Sequence, residues 1–127
     1  MASHVLSLLP PPATPPSCFR CSRPSTRCVT RHSNRNGNAG RPYFKCIPCN
    51  QFLVFADSRG NHPSNPPCPC GLSSKKQVSG LSRQVARAVH FVCRAGKCDF
   101  YQACGTDGET VVLEQETLDQ FIRLRIV

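Results

Sequence analysis

Cys18-Phe19-Arg20-Cys21 and, after a long spacer, Cys46-Ile47-Pro48-Cys49 decide how this chain is read. Two Cys-x-x-Cys pairs at such a separation let two tight turns offer four thiolates to a single tetrahedral ion, at Zn–S distances near ~2.3 Å. Between the pairs, Arg27 to Arg31 is tolerant of β structure, Ser33 to Gly40 is rich in Asn and Gly, and Pro42 to Cys46 is again strand-like. That order describes a hairpin. The apolar run Phe52-Leu53-Val54-Phe55 then supplies a third strand, and three strands closed by two cysteine turns make a zinc ribbon over residues 18–59.

Working outward, the second half repeats the first. Cys68, Cys70, Cys93 and Cys98 follow as a Cys-x-Cys and a Cys-x4-Cys pair. With Cys21 laid over Cys70, Arg27-Cys28-Val29-Thr30 falls opposite Lys76-Gln77-Val78-Ser79. A slightly shorter loop then brings Tyr43-Phe44-Lys45-Cys46 opposite His90-Phe91-Val92-Cys93. An internal repeat follows. It predicts a second, diverged ribbon over 68–104, with strands at Gln77-Val78-Ser79, Val89 to Cys93 and Asp99-Phe100-Tyr101. Cys104 is an alternative ligand at the second site, and Cys28 is expected to act as a small buried hydrophobe. His4, His32, His62 and His90 are read as surface or strand residues, because each half already offers four thiolates.

The chain has 127 residues, 10 cysteines, 12 prolines and no tryptophan. So small a chain cannot bury a large core, and metal or covalent staples take over part of its work. No export signal precedes the cysteines, so the protein is expected not to be secreted and metal is favoured over disulfides, which are the competing account. Two structural zinc ions are expected. Four thiolates leave no open coordination position for Lewis-acid chemistry. No nucleophile is spaced with an oriented base and no Gly-rich phosphate loop follows a strand, so no catalytic residue is named and no enzyme is expected. Residues 1–17, with five prolines and almost no charge, read as a disordered tail. Residues 60–67 read as a linker. Within the acidic segment 105–127, Leu118, Phe121, Ile122 and Arg125 recur at helical spacing after Thr117, predicting a short C-terminal helix. The fold class is thus a small, metal-stapled, mostly β protein of two tandem ribbons.

Charge is distributed unevenly. Residues 1–56 hold seven bases and no acid, in a chain of net charge +9. Two tetrathiolate zinc sites, each adding two negative charges, would leave +5. If Cys46 points to the metal, strand alternation sends Phe44 inward and Arg41, Tyr43 and Lys45 outward, and Arg27 and Arg31 are expected to extend this patch across the hairpin. Guanidinium and ammonium groups bind phosphates, and a tyrosine ring stacks bases without reading sequence, so the expected partner is single-stranded nucleic acid, DNA favoured. Phe52, Phe55, Phe91 and Phe100 are assigned to the core. Nuclear residence would follow from that ligand. No stretch reaches the roughly 20 apolar residues of a membrane helix, and neither a membrane nor a small-molecule substrate is expected. The alternative is a zinc-ribbon adaptor that meets a protein partner through its C-terminal segment.

The stretch from Cys18 through Asn38-Ala39-Gly40-Arg41-Pro42-Tyr43-Phe44-Lys45-Cys46 to Cys49-Asn50-Gln51-Phe52 resembles the GRF-type zinc finger, with its cysteine pair, Gly-Arg-x-aromatic, and two further ligands. The second repeat looks like a diverged copy, with Cys68-Pro69-Cys70-Gly71 as its opening knuckle and Arg87-Ala88-Val89 where Gly-Arg would stand. The arrangement is also similar to small fungal proteins with GRF-like zinc ribbons. The resemblance implies a claw-shaped, three-stranded zinc module that binds single-stranded DNA, often appended to DNA-repair or topoisomerase enzymes.

Overall fold

A computed structural model describes residues 8–35, 37–79, 87–105 and 111–127. Among these residues six strands form two three-stranded antiparallel sheets. β1 (Thr26–Val29), β2 (Pro42–Cys46) and β3 (Gln51–Phe55) are joined in the order β1-β2-β3, and β4 (Lys75–Val78), β5 (Val89–Val92) and β6 (Tyr101–Ala103) repeat it as β4-β5-β6. A helix, α1 (Gln115–Arg123), follows. The expected architecture of two tandem three-stranded ribbons and a C-terminal helix holds. No helix among the described residues is long and apolar enough to cross a membrane.

The repeat extends to individual backbone bonds. Cys18 N–H donates to the Arg23 carbonyl and Cys68 N–H to that of Leu72, closing the two opening knuckles. Ser25 N–H donates to Pro16 O, and Ser74 N–H to Pro66 O. Where β2 and β5 begin, Gly40 N–H bonds to Thr30 O and Arg87 N–H to Ser79 O, and both residues have positive φ, +73° and +58°. Arg87 thus takes the left-handed conformation in which Gly40 has no steric cost.

The two hydrophobic clusters are built differently. In the first ribbon Phe44, Leu53 and Val54 bury with Cys18 and Cys46, and Cys21 and Cys49 pack against them. In the second, Val89 packs with Leu113, Leu118 and Val127, flanked by Val78, Cys104, Phe121, Ile122 and Ile126.

The helix begins at Gln115, two residues before Thr117, with Glu114 at the cap position and no side-chain cap bond. Leu124 caps its end, and Arg125 adopts φ +59°. Ile126 N–H then reaches Phe121 O and Arg125 N–H reaches Ile122 O, the paired bonds that satisfy the orphan carbonyls of a helix end. Arg125, expected on the helical face, is instead its terminating residue.

The structure also differs from the expected tail and linker. Residues 1–7 lie outside the described residues, but in the segment 8–17 Leu9 N–H donates to Asn61 O and Pro16 is buried. Arg94 Nη1 approaches Pro10 O at 3.4 Å. A proline-rich segment lacks donors but keeps its carbonyls, so it can lie extended against arginine and asparagine side chains. In the linker Asn61 is fully buried, its Nδ2 donating to Leu9 O and Asp57 O. Gly60 has φ +76°, and a Cβ there would collide with the Lys76 carbonyl. Gly96, in the last knuckle of the second ribbon, would set a Cβ 2.7 Å from Val54 of the first. The ribbons are packed together across residues 60–67 and not merely tethered.

Candidate metal centres and nucleic-acid interface

Each ribbon gathers four cysteines. The Sγ atoms of Cys18, Cys21, Cys46 and Cys49 lie within 4.8 Å of one another, as do those of Cys68, Cys70, Cys93 and Cys98. Cys21 and Cys46 Sγ are 3.5 Å apart, against about 3.8 Å for two ligands bound at ~2.3 Å to one tetrahedral ion. Left-handed residues Ser22, Asn50, Gly71 and Gly96 (φ +64°, +52°, +80° and +68°) turn the chain just after or within the knuckles. Backbone N–H groups then aim at sulfur: Arg20 N–H to Cys18 Sγ at 3.3 Å and Lys97 N–H to Cys93 Sγ at 3.4 Å.

The thiols answer to this crowding. Hydrogen bonding with Cys21 and Cys46 pushes the Cys49 thiol up to about 12. Burial, with Cys70 and Cys93 beside it, pushes Cys98 up to about 12 as well. Burial also opposes ionisation of Cys18, but the N–H groups of Arg20 and Cys21 outweigh it and bring that thiol down to about 7. Four sulfurs this close cannot all ionise without a cation among them, so both groups fit a zinc ion. The chain carries two tetracysteine sites, compatible with two zinc ions.

Residues 15–59 match the model of the GRF-like zinc ribbon domain. The first ribbon is a GRF-like zinc ribbon. A crystal structure of human NEIL3 tandem zinc finger GRF domains aligns with 69% of this chain and 96% of that chain, at 25% identity and a TM-score of 0.27. No curated protein matches the chain.

Cys104 does not take a place at the second site. It packs into the helix-side cluster, and its N–H bonds to Val89 O. Cys28 is half-buried on the edge strand β1, not buried as expected, with Sγ 3.7 Å from Thr26 O. His32 is exposed, His62 half-buried and His90 buried on β5; His4 lies outside the described residues.

The basic face of the GRF-like ribbon departs from expectation at three residues. Arg41 is 5% exposed. Its Nε donates to Asp57 Oδ2 at 2.6 Å, its Nη2 to Asp57 Oδ1 at 3.1 Å, and its guanidinium lies 3.8 Å above the Phe55 ring. It binds a carboxylate of its own chain and is not available to a phosphate. Arg27 pairs with Phe44 in the β1–β2 register, which places it on the Phe44 face and not on the face of Tyr43 and Lys45. Arg31 lies beyond β1, exposed. Tyr43 and Lys45 do share a face, both half-buried.

Asp57 is the centre that sequence reasoning missed. Besides Arg41 it takes Lys75 from the second ribbon, whose Nζ lies 3.0 Å from Oδ1, 2.8 Å from the Asp57 carbonyl and 3.2 Å from Asn61 Oδ1. Burial by itself would raise the Asp57 carboxyl, but the bond from Arg41 and the charges of Lys75 and Arg41 hold it down at about 2. The signal was present in the sequence as the first acid after 56 residues without one.

The face bearing Tyr43 is aromatic. Tyr43 lies 5.5 Å from Phe52 and 6.3 Å from Phe55, and Phe52 lies 4.9 Å from Phe55. Phe55 and Phe91 are buried, whereas Phe52 and Phe100, also assigned to the core, are half-buried. Phe52 and Phe55 of that face line a groove together with Gln77, His90 and Tyr101 of the second ribbon.

Proposed function

We propose that this protein is a non-catalytic, zinc-stapled binder of single-stranded nucleic acid, with little sequence preference, acting in the nucleus. The observation that carries this reading is the unpaired cation excess of the GRF-like ribbon. Arg20, Arg23, Arg27, Arg31 and Arg35 are exposed, and among the described residues none of them forms an ion pair, while Asp57, the first acid along the chain, is already engaged by Arg41 and Lys75. A surface shaped for solubility alone would mix signs. Exposed guanidinium groups suit phosphates, and half-buried rings suit unstacked bases, which a duplex does not present. The C-terminal segment, the surface of the adaptor alternative, buries Leu113, Leu118 and Val127 against the second ribbon and leaves Val111, Val112 and Leu124 exposed. The cation excess of the first ribbon favours the nucleic-acid reading.

Fluorescence anisotropy of a labelled thymidine 15-mer against the zinc-loaded protein tests it. If three or four phosphates are neutralised, log K falls with log salt at a slope near ~−2 to −3. A duplex of equal length is expected to bind more weakly, and Lys45→Ala to weaken binding without loss of zinc. Salt-independent binding, or none at about 50 mM salt, would refute the proposal.

A further inference from the structure

The two ribbons hold equivalent ring pairs, and Phe52 of the first pair and both rings of the second line one groove. In the β2–β3 register Lys45 pairs with Phe52, and in the β5–β6 register Val92 pairs with Tyr101. Tyr43 and His90 occupy the same position of β2 and β5, two residues after the strand-opening hydrogen bonds of Arg41 and Ala88 carbonyls. Phe52 therefore corresponds to Tyr101, and Tyr43 to His90. The pairs are also alike in geometry. Tyr43 and Phe52 centroids are 5.5 Å apart with planes at 31°, and those of His90 and Tyr101 are 4.9 Å apart at 24°.

Between the sheets lies a groove of about 810 Å³, to which the first ribbon contributes Phe52 and Phe55 and the second His90, Gln77 and Tyr101. Arg20 and Asp99 are the charged residues on it. His90 is 6% exposed and Phe55 9%, but Tyr101 is 61% exposed and Phe52 half-buried. Each ribbon thus offers one ring held by its neighbours, Phe52 by Tyr43 and Phe55, and Tyr101 by the buried His90. Such a fixed ring costs little entropy on binding a flat ligand. Gln77 Oε1 has no hydrogen-bond partner among the described residues, and an N–H donor entering the groove would satisfy it.

We infer that Phe52 and Tyr101 are the two stacking platforms of a single inter-ribbon cleft, through which one nucleic-acid strand passes so that both ribbons hold the same ligand. The occupant follows from charge: the arginines of the first ribbon, with Arg20 on the groove itself, attract a phosphate backbone, and rings at both sides take its bases. The inference rests on the nucleic-acid reading above and assigns the diverged ribbon a part in it.

Tyrosine emission tests it, because the chain has two tyrosines and no tryptophan. Titration with thymidine and uridine 15-mers should quench that emission in step with anisotropy. Tyr101→Phe keeps the ring, so binding is retained while most of the quenching disappears. Tyr101→Ala, at an exposed position, keeps two zinc ions per chain and weakens binding about fivefold to a hundredfold. If the unmutated protein binds but Tyr101→Ala binds equally well and quenching survives in Tyr101→Phe, the cleft is overturned and the proposed function stands. If the unmutated protein binds neither oligonucleotide, both are overturned.

Discussion

In the GRF-like ribbon the metal site and the hydrophobic core are one cluster, whereas in its diverged partner they are separate. Cys18 and Cys46 are themselves core residues beside Phe44 and Val54. The core of the second ribbon lies toward the start of β5, between Val89 and α1, and includes none of its four metal cysteines. A ribbon of some forty residues ordinarily depends on its ion to fold. The second is backed by an amphipathic helix whose Leu118 joins its core and takes over part of that burden, which relaxes the demand on cysteine spacing and lets Cys-x-Cys and Cys-x4-Cys serve.

Zinc removal should show this contrast at its largest. Structural zinc contributes about 10–16 kcal/mol per site, so chelation is expected to abolish hydrogen-exchange protection throughout β1–β3 while amides of Val89 and Leu118 stay partly protected. Equal loss in both ribbons would break the comparison.

Next in size is Asp57→Asn. It leaves the Lys75 ammonium buried without its counter-charge and is expected to cost about 3–5 kcal/mol, seen as a lower denaturation midpoint. Lys75→Met should cost far less, because the Arg41–Asp57 pair survives. The sign with pH is set by the depressed carboxyl: its folded value of about 2 lies below the ordinary 3.8, so its contribution is complete above about pH 4 and disappears as pH falls through 2. The Asp57 carboxylate therefore remains charged at neutral pH, whereas burial brings its partner across the ribbons, Lys75, down to about 7.

Leu118→Ala, at a residue 1% exposed, should cost about 2–5 kcal/mol and make the second ribbon as dependent on zinc as the first. Unchanged exchange of Val89 on chelation of this variant would show that the helix is not what sustains it. The smallest effect is expected at Arg125→Gly, where glycine removes the penalty of φ +59° and should raise stability by about 1 kcal/mol, measured as a rise in Tm. Loss of the bond from Arg125 Nη2 to Ser58 Oγ takes back a little of this gain.

Much of the fold was legible because its determinants are local. Knuckle spacing, the alternation around Phe44 and the turn chemistry of Ser33 to Gly40 each act over a few residues, and the same logic reads the second ribbon through its likeness to the first. The face of Arg27 was not legible. Alternation says which residues of one strand share a side, but which side of the partner strand they join depends on hairpin register, here Val29 against Pro42. Nor was the burial of Arg41, since its partner Asp57 follows the next strand and Lys75 comes from the other sheet.

By itself the amino-acid order determined that sulfur would be offered to metal twice, that each offer would be framed by three short strands, and that the leading half would be strongly cationic. Only the tertiary arrangement decided which cations stay free and which way the aromatic faces look. Thiolate geometry is a property of chain segments a few residues long, but solvent access and ion pairing arise from segments that meet in space, and those meetings leave no periodic trace along the chain.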